Sequence, residues 1–339
     1  MKKIAVIGAG SWGTVLASVL ADNGNSVMLY GNHQRVLDEI INFHTNTKYM
    51  TPTFKINETI EVTTDLEEAV TGRDIILLVI PTKAIRSVGA TIAEILAKNA
   101  AQPIIVSATK GIEPGSKKRV SQIIAEEIYP ANPDKIAIVS GPSHAEGVAQ
   151  KDLTALSVAS ESTEVAELIQ DVFSNDYLRL YTTNDVVGVE VGGATKNVIA
   201  LGAGLLYGKG FGDNAKAALM TRGLAEMTRL GVRLGAEPMT FSGLSGIGDL
   251  IVTCTSENSR NWRAGRELAK GKGLEQTLAD MGMVVEGVLT AKALHELSTE
   301  LGVEMPISEA IYRFLYEDSS IDAEIEQMMG RTNKPEIEF

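Results

Sequence analysis

The 339-residue chain lacks several features that would place it in particular classes of protein. Cys254 is its only cysteine, so an intrachain disulfide cannot form and a zinc site built on several thiolates is excluded. An uninterrupted apolar run of about 18 residues, the length that crosses a bilayer, is missing, which argues against membrane insertion. Blocks of like charge are missing too, and 31 basic against 43 acidic residues give a net charge of −12. Nucleic acid is therefore not an expected partner.

The start of the chain superficially resembles a secretory signal, because Lys2 and Lys3 precede an apolar stretch. Gly8, Gly10 and Gly13 interrupt that stretch, whereas the helix of a signal peptide is continuous. The single cysteine gives no sign of an oxidising compartment. We therefore expect a cytoplasmic location.

The pattern of the chain changes at about residue 185, and at about 150 residues per domain the length already predicts two domains. Before that point short β-branched runs alternate with amphipathic helical stretches, and after it only helical periods follow. This alternation is typical of a doubly wound, mostly parallel sheet with helices on both faces. We predict an α/β domain over residues 1–185 and an all-α domain over residues 186–339. The predicted strands cover residues 4–7, 27–30, 60–63, 75–79, 104–107, 136–139 and 155–159, and the predicted helices between them include 14–23, 83–98, 117–128 and 162–173.

A glycine-rich loop follows the first predicted strand. The sequence GAGSWG at residues 8–13 lies between that strand and a helix of small and apolar residues. In this setting the pattern is typical of a Rossmann-like dinucleotide-binding unit. Gly8 allows the tight turn, Gly10 leaves room for a pyrophosphate, and Gly13 lets the helix pack closely on the strand. The alternative is a purely structural turn.

The end of the second strand bears on the choice of cofactor. A protein selective for NAD usually places a carboxylate there for the ribose 2′-hydroxyl. After Tyr30 this chain has Gly31, Asn32, His33, Gln34 and Arg35 instead. Nothing in that segment repels a 2′-phosphate, so we expect NADP(H), NAD(H) or both, although His33 and Arg35 could each be solvated loop residues.

Isolated basic residues in apolar stretches are candidates for functional residues. Between residues 186 and 208 only Glu190 and Lys196 are ionisable, and a helix of such composition is buried nearly all round. Burial lowers the pKa of a lysine toward the range useful for general acid chemistry. The alternative is a lysine that reaches solvent from the end of the helix.

Two further segments follow predicted strands at the edge where α/β proteins bind ligands. Lys110 comes directly after the strand at residues 104–107, and GPSHA at residues 141–145 follows the strand at 136–139. Lys110 could also be an ordinary surface lysine, and the glycine and proline of the second segment could simply form turns.

In the helical region, a glycine-rich segment ending in Asp249 leads to a predicted helix start with Ser259 or a neighbour as N-cap. Arg260 at that position could hold a phosphate, assisted by the amides of the helix end. A capped surface helix with a solvated arginine is the alternative. His44, His144 and His295 have no metal-ligand spacing with one another or with Cys254, so we predict no metal.

Together these segments resemble the NAD(P)-dependent glycerol-3-phosphate dehydrogenases of the bacterial type, over essentially the whole chain. Five signatures occur in the order of that family: GAGSWG, SATKGIE at 107–113, GPSHAEGVA at 141–149, GGATKNVIALGAG at 192–204 and GLSGIGDLIVTCTSENSRN at 243–261. The combination is far more specific than any one of them, and it favours the functional interpretations of Lys110, Lys196 and Arg260.

The resemblance implies roles for individual residues. Lys196 matches the lysine that acts as general acid or base, and Lys110 matches one that contacts substrate and lies close to the cofactor. The substrate-side positions that match are Lys110, Gly141, Ser143, Asn197, Asp249, Thr253, Ser259, Arg260 and Asn261. The cofactor-side positions are Gly8, Gly10, Ser11, Trp12, Gly13, His33, Lys110, Ala145, Arg260, Val284 and Glu286. Many relatives carry phenylalanine or threonine around Ser143 and His144, so the role of His144 stays open.

The function implied is the reversible reduction of dihydroxyacetone phosphate to sn-glycerol 3-phosphate by NADPH or NADH, which supplies phospholipid synthesis. A homodimer is a possible assembly, but the sequence does not fix the oligomeric state. A related β-hydroxyacid or 6-phosphogluconate type dehydrogenase shares the glycine loop and a lysine-bearing helix, and substrate profiling distinguishes it. A non-catalytic NADPH sensor would keep the loop but would need neither Lys196 nor Arg260.

Overall fold

The computed structural model describes residues 1–129, 132–333 and 335–336, and within them a single eight-stranded sheet forms the frame of the first half of the chain. Its strands are β1 (Lys3–Ile7), β2 (Ser26–Tyr30), β3 (Glu61–Thr63), β4 (Ile75–Leu78), β5 (Ile104–Ser107), β6 (Ile136–Ser140), β7 (Thr154–Ala159) and β8 (Leu178–Thr183). The strand order is β3-β2-β1-β4-β5-β6-β7-β8, and all neighbours are parallel except β6 and β7. The predicted doubly wound, mostly parallel sheet is confirmed.

Strand β8 is absent from the sequence-based prediction. It lies at the edge of the sheet, and its side chains alternate between buried Leu178 and Leu180 and exposed Arg179 and Tyr181. The prediction relied on continuous apolar runs, which are typical of strands buried on both faces. An edge strand with one solvated face does not produce such a run.

Helices cover both faces of the sheet. They are α1 (Ser11–Asp22), α2 (Gln34–Phe43), α3 (Leu66–Val70), α4 (Thr82–Lys98), α5 (Val120–Glu127), α6 (Ala145–Ala149) and α7 (Thr163–Phe173). Alternate residues of β1 point to opposite faces, so Ile4 and Val6 pack with α1 and α7 while Ala5 and Ile7 pack with α4 and α5. The sheet therefore has a hydrophobic core on each side.

Helix α5 begins later than the predicted helix over residues 117–128. Lys117 has a positive φ of 60°, which a right-handed helix does not allow. Arg119 forms a backbone bridge with Ile112, so the chain returns beside its own earlier segment before the helix starts at Val120.

After Thr183 the described chain is helical. The helices are α8 (Val186–Gly208), α9 (Asp213–Arg233), α10 (Asp249–Thr255), α11 (Arg260–Ala269), α12 (Leu274–Met281), α13 (Glu286–Leu301), α14 (Pro306–Tyr316) and α15 (Ile321–Met329). Helix α8 lies at the centre of this region, and all of its residues from 188 to 205 are buried. It packs against α9, α10, α11, α13 and α14, and also against β6. The predicted all-α region is therefore observed, with residues 334 and 337–339 outside the described part.

Among residues that the structure describes, no helix has both the length and the hydropathy needed to cross a membrane.

Candidate active site

The glycine loop turns sharply between β1 and α1. Gly8 has a φ of +122°, a conformation that favours glycine, and its N–H donates to the Tyr30 carbonyl at 2.9 Å. A Cβ on Gly13 would lie 1.9 Å from the Gly8 carbonyl oxygen, so α1 can approach the loop only with glycine there. A Cβ on Gly10 would have no neighbour within 4 Å, which leaves open space at the middle of the loop.

The N-terminus of α1 is suited to an anion. Helix α1 begins at Ser11, and its first turn contains no acidic residue. Among the described side chains none caps this end, because glycine occupies the N-cap. First-turn N–H groups have no acceptor within the helix, and the helix dipole favours negative charge there. These features fit the pyrophosphate of a dinucleotide.

The remaining cofactor-side residues lie on several different elements. Trp12 is half-buried at the start of α1, His33 is exposed just before α2, and Ala145 is the first residue of α6. Glu286 begins α13 and accepts hydrogen bonds from the backbone and hydroxyl of Thr82 at 3.1 and 3.0 Å. Thr82 starts α4 after β4, a position equivalent to that of the glycine loop, and the sequence analysis missed it.

Two lysines meet on one buried carboxylate. Lys196 Nζ donates to Asp249 Oδ1 at 2.6 Å and to Thr253 Oγ1 at 2.7 Å. Lys110 Nζ donates to Asp249 Oδ2 at 2.6 Å and to the Gly141 carbonyl at 3.0 Å. Lys196 is only 6% exposed, so it is not a lysine that reaches solvent from a helix end. The structure thus brings together side chains from α8, α10 and the end of β5.

Burial and the neighbouring charges shift the pKa values of the groups in this cluster. Burial lowers the pKa of Lys196 to about 8; Lys110 acts in the same direction, and Asp249 opposes both. Burial by itself would raise the pKa of Asp249, but the two ammonium groups more than offset this and hold it below its ordinary value. Burial raises the pKa of the Cys254 thiol to about 12, so this neighbour is neutral at ordinary pH. The cluster is therefore a carboxylate between two lysines, one of which titrates near pH 8.

Next to Lys196, the side-chain amides of Asn197 and Asn261 form a series of hydrogen bonds between neighbouring helices. Asn261 Nδ2 donates to Asn197 Oδ1 at 2.9 Å, and Asn261 Oδ1 accepts from the Gly287 N–H at 2.9 Å. Asn197 Nδ2 lies 3.4 Å from the Lys110 carbonyl and 3.3 Å from the Gly193 carbonyl. These bonds fix α8, α11 and the start of α13 relative to one another beside the lysines.

The start of α11 carries Ser259 and Arg260, two of the residues that the sequence analysis assigns to the substrate side. Ser259 is the N-cap, and its hydroxyl accepts from the Trp262 N–H at 3.2 Å. Arg260 is the first helical residue, and its Nη1 donates to the Val284 carbonyl at 3.3 Å. Burial lowers the pKa of Arg260, while Glu286 and Glu146 act in the opposite direction, and the guanidinium stays charged.

The segment after β6 contacts α10. Ser143 Oγ donates to the Gly141 carbonyl at 3.2 Å, and His144 Nε2 lies 3.2 Å from the Val252 carbonyl. Burial lowers the pKa of His144, so its neutral form is favoured and Nε2 carries the proton given to that carbonyl. His144 therefore joins the start of α6 to α10, the helix that carries Asp249.

A cavity of about 610 Å³ lies elsewhere, beside the end of β2. Its lining is formed by Tyr30, Thr64, Asp65, Leu66, Ser87, Val88 and Thr91. None of the predicted site residues lines it. Lys110, Lys196 and Asp249 instead lie together between the sheet and the helices, and Lys196 and Asp249 are buried there. Within the described residues, no cluster of His, Cys, Asp and Glu could hold a metal ion.

Family models place the two halves of the chain in one family. The model of the N-terminal part of NAD-dependent glycerol-3-phosphate dehydrogenase matches residues 3–166, and that of the C-terminal part matches residues 185–326. The chain belongs to the NAD-dependent glycerol-3-phosphate dehydrogenase family. The resemblance found in the sequence is thereby confirmed, and the protein is an oxidoreductase that uses NAD(P).

Individual relatives agree with this membership. The chain is 62% identical to the glycerol-3-phosphate dehydrogenase [NAD(P)+] of Lactobacillus acidophilus over 338 residues, 99% of each chain. It is similar to the crystal structure of glycerol-3-phosphate dehydrogenase from Coxiella burnetii, with a TM-score of 0.91, 33% identity, and coverage of 97% of this chain and 99% of that one. A ketopantoate reductase from Ralstonia eutropha has a TM-score of 0.60 at 17% identity and coverage of 96% and 99%, a likeness that shows the fold alone.

Proposed function

We propose that this glycerol-3-phosphate dehydrogenase family member reversibly reduces dihydroxyacetone phosphate to sn-glycerol 3-phosphate with NADPH or NADH, with Lys196 as its general acid and base. The observation that carries this proposal is the buried ammonium of Lys196, held by Asp249 Oδ1 at 2.6 Å and Thr253 at 2.7 Å. A proton donor with a pKa of about 8 is suited to transfer in either direction near neutral pH. When bound, the nicotinamide supplies the hydride for reduction and accepts it in oxidation.

The residues around Lys196 prepare it for that transfer. In reduction, protonated Lys196 polarises the ketone oxygen and then protonates the developing alkoxide. In oxidation, neutral Lys196 removes the hydroxyl proton. Lys110 adds positive charge, and Asp249 holds both lysines in fixed positions. Asn197 and Asn261 orient the surrounding helices rather than transfer the proton, because a side-chain amide does not ionise at ordinary pH.

The phosphate is proposed to bind at the start of α11. Arg260 supplies the charge, and the N–H groups of Arg260 and Asn261 in the first turn of α11 have no acceptor within the helix, whereas the Trp262 N–H is capped by Ser259. The side chain of Asn261 already has both of its ends engaged, so we assign it a positioning role and leave phosphate binding to its backbone. Gly141, Ser143 and Ser259 are proposed to line the substrate side. Binding energy from the phosphate then orients the reacting carbon.

The dinucleotide is proposed to bind along the carboxyl edge of the sheet. The loop from Gly8 to Gly13 and the N-terminus of α1 would hold the pyrophosphate. His33 lies exposed beyond Tyr30, where a 2′-phosphate could be accepted. The proposed cofactor side also includes Trp12, Lys110, Ala145, Arg260, Val284 and Glu286.

The direct test follows NADPH absorbance after dihydroxyacetone phosphate is added to purified protein, and is repeated with NADH and with phosphate-free dihydroxyacetone. We expect oxidation of both cofactors that depends strongly on the phosphate. Turnover only with other hydroxyacid or phosphogluconate substrates would favour the related dehydrogenases. Binding of NADPH without any turnover would favour a sensor.

Replacing Arg260 by methionine should weaken phosphate recognition. A hydrogen bond to a charged group contributes about 1.5–3 kcal/mol, so we expect kcat/KM for dihydroxyacetone phosphate to fall by about 10- to 100-fold. At saturating NADPH, turnover of phosphate-free dihydroxyacetone should change little, because no phosphate contact is lost and any weakening of cofactor binding by Arg260→Met is compensated. Arg233→Met, at an exposed position in the last turn of α9, is the matched control. Equal losses with both substrates would contradict the phosphate assignment.

The domain division, the physiological role, the location and the assembly are also part of the proposal. The two-domain division at residue 185 is supported by the gap between β8, ending at Thr183, and α8, and by the separate family models. A supply of glycerol 3-phosphate to phospholipid synthesis is the proposed physiological role. The cytoplasmic location and the homodimer stay predictions.

A further inference from the structure

Glu190 is a buried carboxylate whose partners lie far away in the sequence. It belongs to α8, six residues before Lys196, and its side chain is only 3% exposed. It accepts hydrogen bonds from Ser121 N at 2.7 Å and Ser121 Oγ at 2.6 Å, and it forms an ion pair with Arg119. The carboxylate thus has a partly buried cation and two further donors, and both of its oxygens accept hydrogen bonds.

These partners end the segment that begins at Lys110. That segment, residues 110–119, leaves the carboxyl end of β5 and returns to the start of α5. At its first residue, the Lys110 carbonyl faces Asn197 of α8 at 3.4 Å. At its last residue, Arg119 pairs with Glu190 of the same helix. Both ends of the segment are therefore attached to the helix that carries Lys196.

The segment is also held together internally. Ile112 and Arg119 form a backbone bridge, and the Glu113 N–H donates to the Lys118 carbonyl at 3.0 Å. A displacement of Arg119 is consequently passed to Ile112, two residues from Lys110. Two other attachments are less buried: the Gly115 N–H donates to Glu296 at 2.8 Å at an exposed position, and Glu113 pairs at 2.8 Å with Arg86, whose side chain is 37% exposed. Contacts open to solvent contribute less than buried ones. At the Arg119 end of the segment, the buried contact with Glu190 is thus the stronger attachment.

We propose that Glu190 is a positioning residue, which fixes the Lys110–Arg119 segment against α8 so that Lys110 stays on Asp249 opposite Lys196. Glu190 makes no contact with the two lysines or with Asp249 in the described hydrogen bonds. It acts through Arg119, Ser121 and the bridged segment. The inference rests on the proposed function of Lys110 and Lys196.

Glu190→Gln keeps the shape of the side chain and removes its charge. We expect kcat to fall by about 10- to 100-fold, the size of effect that a displacement of about 1 Å in a reacting group can have. The dissociation constant for NADPH, measured by fluorescence, should stay near the wild-type value. The alkaline limb of kcat for reduction should move to higher pH, because Lys110 lowers the pKa of Lys196 and would no longer be held close. The other charged or titratable neighbours, Asp249, Cys254 and His144, are unchanged.

Glu226→Gln is the matched control. Glu226 is 1% exposed and accepts from Ile307 N at 2.6 Å, Ser308 N at 3.1 Å and Ser308 Oγ at 3.0 Å, so both carboxylates accept from the N–H and hydroxyl of a serine. Glu226 differs in having no ion pair among the described contacts, and burial raises its pKa to about 7. Glu226 holds the start of α14, which contains no proposed site residue. Its variant should lose stability without a change in kcat or in the pH profile.

The activity of Arg119→Met and the rate of amide hydrogen exchange test the same proposal independently of kcat in Glu190→Gln. Arg119→Met should reproduce the effect of Glu190→Gln, and the double variant should lose no more activity than either single one. Amide hydrogen exchange in residues 111–119 should become faster in Glu190→Gln and not in Glu226→Gln, a result that does not depend on turnover. Wild-type kcat and pH profile in both Glu190→Gln and Arg119→Met, or unchanged exchange in that segment, would overturn the inference. Absence of turnover in the wild type would instead contradict the proposed function.

Discussion

Lys196→Met should lower kcat for the reduction of dihydroxyacetone phosphate by about 10²- to 10⁴-fold, the usual contribution of a positioned general acid. The methionine side chain is similar in length and apolar, so the packing of α8 should be preserved. Asp249 keeps Lys110 as a partner at 2.6 Å and is not left as an unpaired buried charge. NADPH should still bind, because the glycine loop and α1 lie on a different part of the chain.

The pH profile provides a second readout for the same variant. Lys196 has a pKa of about 8, so wild-type kcat for reduction should decline as the pH rises through about 8, while the oxidation rate rises. The groups facing Lys196 are Lys110, Asp249, Cys254 and His144. The pKa values of His144 and Asp249 are lowered and that of Cys254 is raised to about 12, so these three groups do not titrate near pH 8. The residual activity of Lys196→Met should lack this limb. Lys216→Met, an exposed lysine paired with Asp213, is the control and should behave like wild type. Wild-type turnover in Lys196→Met would rule out the assignment.

The sequence was sufficient to predict the sheet, its mainly parallel direction and the helical second half. Continuous apolar runs reveal strands that are buried on both faces, and this is why β8, with Arg179 and Tyr181 exposed, was missed. The start of α5 was missed for a local reason, since a positive φ at Lys117 is not visible as a break in helical periodicity.

The candidate site was only partly predictable. Lys196 stands out because it is an isolated charge in an apolar helix, and Lys110 because it follows a buried strand. Their meeting on Asp249 could not be derived, because the three residues are brought together only by the packing of α8, α10 and the sheet. Glu190 is as isolated in the sequence as Lys196, but its partner Arg119 is identified only in the folded chain.

Asp249→Asn should have the second large effect, on both stability and activity. Asp249 is 1% exposed and is the common partner of two ammonium groups. Removing one member of a buried ion pair typically costs about 3–5 kcal/mol, because the remaining charge is left uncompensated. Asp249 has a pKa below its ordinary value of 3.8, so its contribution to stability is complete above that value and is lost as the pH falls through the folded-state pKa. The stability difference between wild type and variant, measured by denaturant unfolding, should therefore shrink in strong acid.

The activity of Asp249→Asn should depend on pH in a way that separates it from Lys196→Met. Asp249 raises the pKa of Lys196, while burial and Lys110 lower it, so the variant should shift the alkaline limb of reduction from about 8 to lower pH. Lowering the pH should then restore part of the lost kcat, since a lysine with a depressed pKa can still be protonated. Lys196→Met has no proton to regain, so its activity should not recover. Asp213→Asn, at the exposed end of the Lys216 pair, should change neither stability nor the limb. An Asp249→Asn limb that stays at about 8 would mean that the titrating group is not Lys196, and the acid would have to be sought among the other groups that face the substrate.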